Sequence, residues 1–279
     1  MLPCVAPRPL SFQKYRSFST KTQRCFIVPH GILHYLPFAA LTNGKNYLGE
    51  KYTIFYLPSA SLLPFVRNKS KPAGTQMLAI AQSKAESLPV LRYADEEVRA
   101  IAELFSTKAI TTDNASKSEF LKRASNFSII HIAAHAALSP SSPSFSRIML
   151  ERDNDAGVEV RNLYDLDLSK ASLVVLSVCE TGLGAFRSGD DFVGLNRALI
   201  YAGTPSVITS LWEADDESTN LLMTIFYSHL KQGFSNAEAL KMAQIETRKK
   251  YPHPYYWAGF VLNGDLGLTA SGREKQVRP

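Results

Sequence analysis

The sequence predicts an α/β fold in which a mostly parallel central sheet carries helices on both faces. Short apolar runs, typical of buried strands, alternate along the chain with segments of helical spacing. Several of these runs lack polar alternation, as expected of parallel strands that are covered on both faces. The composition suits a globular chain, since 45% of the 279 residues are hydrophobic and 20% are charged.

The predicted elements follow in order from apolar, β-branched and aromatic runs and from helical spacing. The predicted strands are 25–29, 52–57, 76–81, 109–111, 127–134, 172–179, 206–210 and 255–262. The predicted helices are a short one from Leu62, then 94–105, 116–124, 192–201, 217–231 and 236–249. Ser59 and Ser61 are expected to cap the first of these helices. The segments 68–74 and 139–157 are polar and loop-like, the second interrupted by an apolar run at 147–150.

The segment 172–184 (SLVVLSVCETGLG) is the centre of the predicted fold. It begins as an unbroken apolar run and stops at Cys179, which acidic, hydroxyl and glycine residues follow. A short apolar run bounded by turn residues is typical of a buried parallel strand. Because ligands of open α/β sheets bind at the carboxyl ends of the strands, Cys179 lies where a functional site is expected.

A second buried strand, predicted over 127–134 (FSIIHIAA), ends at His135. If the two strands are neighbours in a parallel sheet, His135 and Cys179 emerge together at one edge. An imidazole beside a thiol lowers the thiol pKa and takes up its proton, which produces a nucleophile. The alternative for both residues is structural, because free cysteine is often core and a histidine on an apolar strand is often a hydrogen-bonded core residue. His131, in the middle of its strand, is predicted to have that structural role.

The net charge of +6 lies mainly at the chain ends. Residues 1–24 carry +5 and no acid, and residues 270–279 carry +2, so the remainder carries −1. A nucleic-acid-binding protein would place basic residues on the folded body, so nucleic-acid binding is not expected. No apolar run approaches the roughly 18 residues of a membrane-spanning helix, so no membrane association is expected either.

We predict that residues 1–24 form a disordered basic leader or the stub of a longer chain. The less favoured alternative for this acid-free, Arg- and Ser-rich start is an organellar transit peptide. Residues 25–269 are predicted to form one domain, and residues 270–279 a flexible tail. Three widely spaced cysteines argue against a disulfide framework and favour a reducing compartment, so a cytoplasmic location is expected.

The order of motifs between residues 27 and 265 resembles that of the CHAT domain family, caspase-like domains that are usually attached to tetratricopeptide repeats. The matching segments are VPHGILHYLPFAAL, YLPSASLL, IIHIAAHA, SFSRIML, LVVLSVCETGLG, GLNRALIYAGTPSVITSLWEADD and YYWAGFVLNGD. The resemblance implies a caspase-like three-layer α/β sandwich and a Cys–His dyad cysteine endopeptidase. His135 in HIAAHA then matches the base, and Cys179 in SVCETG matches the nucleophile. The chain departs from the pattern at His30, where the family often has Asp, and in having no preceding repeat array.

Several residues around the dyad are predicted to contact substrate. Backbone N–H groups of Ala136 and of the turn carrying Cys179 are expected to hold the oxyanion. The resemblance implies that the strand after that of the nucleophile pairs with the substrate backbone. Acidic groups following this strand suit a basic substrate side chain, although Asp216 is expected to cap the next helix instead. The predicted substrate-binding residues are Ala136, Ser177, Gly182, Ser210, Trp212, Glu213 and Asp215.

The leading functional hypothesis is therefore a cysteine endopeptidase that hydrolyses protein or peptide substrates without a cofactor. The alternative is a caspase-like scaffold whose dyad is unused and which acts through protein–protein interaction. A metal hydrolase is not expected, because no His, Asp or Glu cluster has the spacing of metal ligands. The expected regulator is a repeat-type protein acting in trans, or a repeat domain lost by truncation.

Overall fold

The computed structural model describes residues 24–71, 74–86, 88–137, 139, 142–151, 157–180 and 190–267, with the backbone alone at 179–180 and 190–193. The strands are β1 (Arg24–Ile27), β2 (Thr53–Tyr56), β3 (Met77–Ala81), β4 (Ile129–Ala137), β5 (Arg147–Met149), β6 (Val158–Glu159), β7 (Leu173–Glu180), β8 (Ser206–Ser210) and β9 (Phe260–Gly264). The α-helices are α1 (Leu48–Lys51), α2 (Leu62–Asn68), α3 (Ala94–Leu104), α4 (Lys117–Arg123), α5 (Val160–Tyr164), α6 (Asp190–Ala202), α7 (Asp216–Lys231) and α8 (Asn236–Lys250). Most of the predicted leader and the whole predicted tail lie outside the described residues.

All the described strands belong to one sheet. Its order is β1-β2-β9-β8-β7-β4-β5-β6, and β3 also pairs with β4. The pairs β1–β2, β2–β9, β3–β4, β4–β7 and β7–β8 are parallel, whereas β8–β9, β4–β5 and β5–β6 are antiparallel. The predicted mostly parallel sheet is therefore confirmed. Its antiparallel pairs join strands that follow one another in the chain.

Helices cover both faces of the sheet, and the central strands are buried as predicted. His131 of β4 contacts Glu97 of α3 and Tyr227 of α7, so these two helices cover the face on which His131 lies. Thr209 lies on the other face of β8 and shares a small cavity with Asn196 of α6. The apolar side chains of β3, β4 and β7 join the helices in one large hydrophobic cluster, which supplies the main driving force for folding. The structure therefore has three layers.

The predicted boundaries are wrong at several strands. His135 does not follow β4 but lies within it, because the strand continues to Ala137 through pairing with β5. Residues 109–111 contribute one bridge, between Ile80 and Ile110, in place of a strand. The predicted strand 255–262 is a 3-10 helix at Pro254–Tyr256 followed by β9, which begins only at Phe260. Pairing with neighbouring strands, which propensity does not report, sets each of these boundaries.

Two predicted helix caps also differ from the structure. Ser61 precedes α2 but its hydroxyl makes no capping hydrogen bond, and instead contacts the Ser59 hydroxyl at 2.7 Å. At α7 the cap is Asp215, not the predicted Asp216, because Asp215 Oδ1 accepts the backbone N–H of Ser218 at 2.9 Å. The described helices include none long and apolar enough to cross a membrane.

Candidate active site

The two residues predicted to form the dyad lie side by side in the sheet. Strands β4 and β7 pair in parallel from Ile129 opposite Leu173 to Ala136 opposite Glu180, and within this register His135 is the partner of Cys179. Neighbouring strands lie about 4.8 Å apart, and residues in register share one face of the sheet. The sheet thus brings a histidine and a cysteine from distant parts of the chain together near the carboxyl ends of two central strands.

The position of His135 follows from the different lengths of the strands beside β4. Pairing of β3 with β4 ends at Ala81 opposite Ala133, and β5 takes over with Met149 opposite His135. The chain that leaves β3 therefore continues beyond the sheet. It reaches the imidazole at Pro89, whose carbonyl oxygen lies 2.8 Å from His135 Nε2.

The Pro89 carbonyl sets the tautomer of His135. A carbonyl oxygen only accepts, so Nε2 carries the proton and Nδ1 of the neutral ring has the lone pair. The side chain is 2% exposed, and its Nδ1 is buried without a hydrogen-bond partner among the described residues. Burial lowers the pKa of His135, while the Pro89 carbonyl and the charges of Glu213 and Asp216 act in the opposite direction. The lowered pKa favours the neutral form of the ring, in which Nδ1 can accept a proton.

His131 has the structural role predicted for it. It is fully buried, and its two ring nitrogens lie 2.8 Å from Glu97 Oε1 and 3.2 Å from the Tyr227 hydroxyl. Both ring nitrogens are used by neighbours from α3 and α7, so His131 links these helices to β4 beneath the dyad. The same side chain on the same strand thus has different roles at positions 131 and 135.

The end of β8 offers an unpaired stretch beside the dyad. Pairing of β7 with β8 ends at Leu176 opposite Thr209, whereas β8 stays paired with β9 through Ser210 opposite Phe260. The Ser210 hydroxyl donates to the carbonyl of Trp212 at 2.6 Å. Strand β7 itself continues to Glu180, but no pairing between it and residues 210–213 is present among the described residues. The segment that was predicted to receive the substrate backbone is therefore not paired on the side of Cys179.

Trp212 is fixed by contacts with the chain that precedes β9. Its ring stacks on Tyr255 at a centroid distance of 6.4 Å, and its Nε1–H donates to the Tyr255 carbonyl at 3.1 Å. A Cβ at Gly259 would lie 2.9 Å from the indole, so the close approach requires a glycine there. Trp212 is half-buried in this position.

The first three acids after β8 differ in their contacts. Asp215 caps α7, which uses one oxygen of its carboxylate. Asp216 accepts the backbone N–H of Tyr93 at 2.8 Å. Glu213 is exposed, and in the part of the chain that the structure describes nothing occupies its carboxylate; its backbone carbonyl accepts the Tyr255 hydroxyl at 2.9 Å. Glu213 is therefore the acid that is open to a ligand.

The structure provides less information on the other predicted substrate-binding residues. Ala136 is buried in β4 between Glu180 of β7 and Ile148 of β5. Ser177 is 7% exposed and lies opposite Ala133, two residues before Cys179. Gly182 lies outside the described residues. Their assignment to substrate binding stays a prediction.

Sequence reasoning missed Pro89, because its backbone carbonyl carries the interaction and the side chain gives no signal. An exposed Pro-Val pair at 89–90, shortly before a helix, is typical of an ordinary loop.

No group of three or more His, Cys, Asp or Glu residues that could hold a metal ion occurs in the described ranges. The described part of the site thus consists of His135, the register position of Cys179, and the backbone and acidic groups around them.

A site of this kind, at the carboxyl ends of central strands, places the chain among α/β proteins with a paired histidine and cysteine. The CHAT domain family model matches residues 6–265, and the chain belongs to the CHAT domain family. Tetratricopeptide repeat protein 28 of Mus musculus is 27% identical over 299 residues, and its Homo sapiens counterpart is 26% identical over 302 residues. These alignments cover 88% and 89% of the chain, but the chain spans only 12% of either relative.

Solved structures share the fold at low sequence identity. A chain of the Saccharomyces cerevisiae separase–securin complex superposes with a TM-score of 0.59 at 12% identity, over 86% of this chain and 15% of that one. Gingipain R (RgpB) of Porphyromonas gingivalis, an Arg-specific cysteine proteinase, superposes with a TM-score of 0.53 at 14% identity, over 77% of this chain and 54% of that one. The fold is the caspase-like α/β fold of these proteins, as predicted.

Proposed function

We propose that this chain is a cysteine endopeptidase in which His135 is the base and Cys179 the nucleophile. The observation that carries the proposal is the register of β4 and β7, which makes the two residues direct neighbours. The caspase-like fold, shared with cysteine peptidases, supports it. The curated relatives are named for their repeats, so they neither add to the proposal nor oppose it.

In this mechanism Nδ1 of His135 takes the thiol proton of Cys179. The thiolate attacks the scissile carbonyl carbon, and the electron pair of the C=O π bond moves to the carbonyl oxygen. Backbone N–H groups near the cysteine stabilise the resulting oxyanion. The tetrahedral intermediate collapses, and the imidazolium gives its proton to the departing amine. Water, deprotonated by the same nitrogen, then hydrolyses the thioester and restores the thiol. The hydrogen bond from Nε2 to Pro89 keeps Nδ1 as the working nitrogen throughout.

The substrate backbone is proposed to lie along residues 210–213, on the side that faces away from β9. The Ser210 hydroxyl holds the Trp212 carbonyl there at 2.6 Å, and the N–H of a bound peptide can replace it as the donor. The half-buried indole of Trp212 offers an apolar surface for a neighbouring side chain. In the proposed arrangement, the scissile bond lies between residues 210–213 and the dyad.

A basic substrate side chain next to the scissile bond suits the charge at this place. Glu213 is exposed, it is the last residue of the segment 210–213, and its charge acts to raise the pKa of His135. A guanidinium or ammonium group gains a charge-assisted hydrogen bond from such a carboxylate. The Arg specificity in the name of gingipain R agrees with this proposal.

The test is labelling with an irreversible thiol probe, followed by cleavage of a peptide library. We expect Cys179 to react faster than Cys25, whose pKa is raised by burial so that less thiolate forms. Cys179→Ala and His135→Ala are expected to abolish cleavage, with a loss of about 10⁴-fold or more.

The outcomes separate the two functional hypotheses. Cleavage that survives both substitutions would contradict the assigned dyad. Labelling of Cys179 no faster than that of Cys4 and Cys25, together with an uncleaved library, would favour the scaffold. Circular dichroism of both variants verifies that the fold is kept.

A further inference from the structure

The loop that supplies the Pro89 carbonyl has no strand pairing of its own at that point. Within it, the backbone N–H of Leu91 donates to the Ser83 carbonyl at 3.0 Å, and the N–H of Ser83 donates to the Thr112 hydroxyl at 2.9 Å. Pro89 and Val90 are exposed, and Val90 is 55% exposed. The contact of Leu91 with Ser83 closes the loop on both sides of Pro89 and ties it to the end of β3.

A second tie comes from a carboxylate of α7, just before α3 begins. Asp216 Oδ2 accepts the backbone N–H of Tyr93 at 2.8 Å. Tyr93 immediately precedes α3, so Asp216 joins the amino-terminal ends of α3 and α7. Its side chain is half-buried, and burial raises the pKa of this carboxyl while the nearby backbone N–H groups of Tyr93 and Arg92 act against the rise.

Asp216 is free for this contact because its neighbour caps the helix. Asp215 Oδ1 accepts the Ser218 N–H, which satisfies the first turn of α7. Glu217 turns to the other side, towards Lys250 at 3.1 Å and Tyr251 at 2.7 Å. Three consecutive acids thus have three different partners, and only Asp216 contacts the loop of Pro89.

We propose that Asp216 is a positioning residue of the active site: by holding the backbone of Tyr93, it acts together with the Leu91–Ser83 contact to keep the Pro89 carbonyl against His135 Nε2. The inference rests on the proposed function for its kinetic consequence. Its structural consequence, the fixed tautomer of His135, does not require that the chain be an enzyme. Asp216 acts through the loop and does not touch the reacting atoms.

The kinetic test compares Asp216→Ala and Asp216→Asn with wild type on a cleaved library peptide. Asp216→Ala is expected to lower kcat about 10- to 100-fold with KM changed less than about threefold, because the base is misaligned while the substrate groove remains. Asp216→Asn keeps one acceptor oxygen, so its loss of kcat is expected to be smaller. Glu217→Gln is the matched control, since it removes a charge from the same helix end without touching the loop.

The spectroscopic test uses full-length protein with ¹⁵N-labelled histidine and needs no activity. Wild type and Glu217→Gln should show His135 with a protonated Nε2 and an unprotonated Nδ1. Asp216→Ala should show exchange between the two tautomers. Glu213→Gln is a charge control for this measurement alone, because it removes a neighbouring charge without removing a tether, and should keep the wild-type tautomer.

The results decide the inference in every case. If Asp216→Ala and Asp216→Asn both keep the wild-type tautomer, the inference is wrong, whether or not the chain cleaves peptides. If Asp216→Ala does not fold, the decision passes to Asp216→Asn, whose neutral amide oxygen holds the Tyr93 N–H less strongly: it should show more tautomer exchange than Glu217→Gln, and no more exchange than that control would contradict the inference. Thermal unfolding is recorded for each variant. If wild type cleaves nothing but Asp216 variants lose the tautomer, the proposed function fails and the positioning role stands.

Discussion

At the scale of single residues, the two histidines of β4 differ in the hydrogen bonds that their ring nitrogens make. His131 has a partner at both nitrogens, whereas His135 has one partner and a buried Nδ1 that has none among the described residues. Burying a polar nitrogen without a partner costs free energy, so such an atom needs a reason to persist. Under the proposed function, proton transfer from Cys179 is that reason.

The lowered pKa of His135 predicts a pH dependence of stability. The folded pKa lies below the ordinary value of 6.5, so below that pH the unfolded chain binds more protons than the folded one. The contribution to the free energy of unfolding is present above about pH 6.5 and is lost as the pH falls towards the folded pKa. Urea unfolding between about pH 7.5 and 5 should show the decline, on the order of 1 kcal/mol per unit of pKa difference.

His135→Gln provides the comparison for this measurement. Other groups titrate in the same range, but their contribution is common to both proteins. The wild-type curve should therefore fall more steeply below pH 6.5 than that of the variant. Parallel curves would mean that His135 titrates in the folded protein as it does in the unfolded chain.

Glu213 gives a second prediction at this scale. Glu213→Gln should lower kcat/KM roughly 10-fold or more for peptides with Arg or Lys before the scissile bond, because a charge-assisted hydrogen bond is lost. Peptides with a neutral residue there should be affected less. Glu217→Gln, whose carboxylate pairs with Lys250 on the surface, is the control. Equal losses for basic and neutral peptides would contradict a charge-reading role.

At the scale of elements, α3 and α7 are connected to the site by side-chain contacts with β4. The Glu97–His131–Tyr227 contacts cross from α3 through β4 to α7, and Tyr227 is fully buried with its pKa raised by that burial. Asp216 joins the same two helices at their amino-terminal ends. The helices are therefore connected at two levels, in the core below the dyad and at the loop above it.

The core connection predicts a stability effect. Glu97→Ala should lower the free energy of unfolding by about 1–3 kcal/mol, since it leaves a ring nitrogen of buried His131 without a partner. Glu96→Ala, one position away on the exposed side of the same helix, should change it by less than about 0.5 kcal/mol. Urea denaturation followed by far-UV circular dichroism measures both. Similar values for the two variants would show that the buried contact contributes little.

At the scale of the whole molecule, the sheet has a strong centre and a weak end. Strands β4 and β7 are paired along nearly their whole length and are almost fully buried. The pair β1–β2 joins the rest of the sheet through β9 at a single position, Tyr56 opposite Asn263. In addition β1 is an edge strand, and Phe26 within it is 49% exposed.

Hydrogen exchange should reveal this gradient. Backbone amides of β1 and β2 are expected to exchange at least about tenfold faster than those of β4 and β7, because opening the weak end costs less than unfolding the centre. Exchange measured by mass spectrometry on peptides from these four strands is sufficient. Equal protection across the sheet would show that β9 transmits the stability of the centre to the edge in full.

How much was predictable from sequence depends on where each interaction lies. Apolar runs located the central strands, and the motif order indicated the CHAT family, because burial and local pattern are written in consecutive residues. The end of β4 was misplaced at His135, since its pairing with β5 depends on a return of the chain that periodicity does not report. The cap of α7 was misplaced by one residue, because Asp215 and Asp216 are both competent acids and only their surroundings distinguish them.

The sequence by itself determined the class of fold, the burial of its central strands and the two candidate residues at their ends. Only the tertiary structure decided that Cys179 and His135 share one register position, that Pro89 fixes the imidazole, and that Asp216 holds the loop of Pro89. The physical reason is that these contacts join residues far apart in the chain, two of them through backbone groups that every residue possesses. Side-chain pattern has no means of recording which carbonyl or amide will be used.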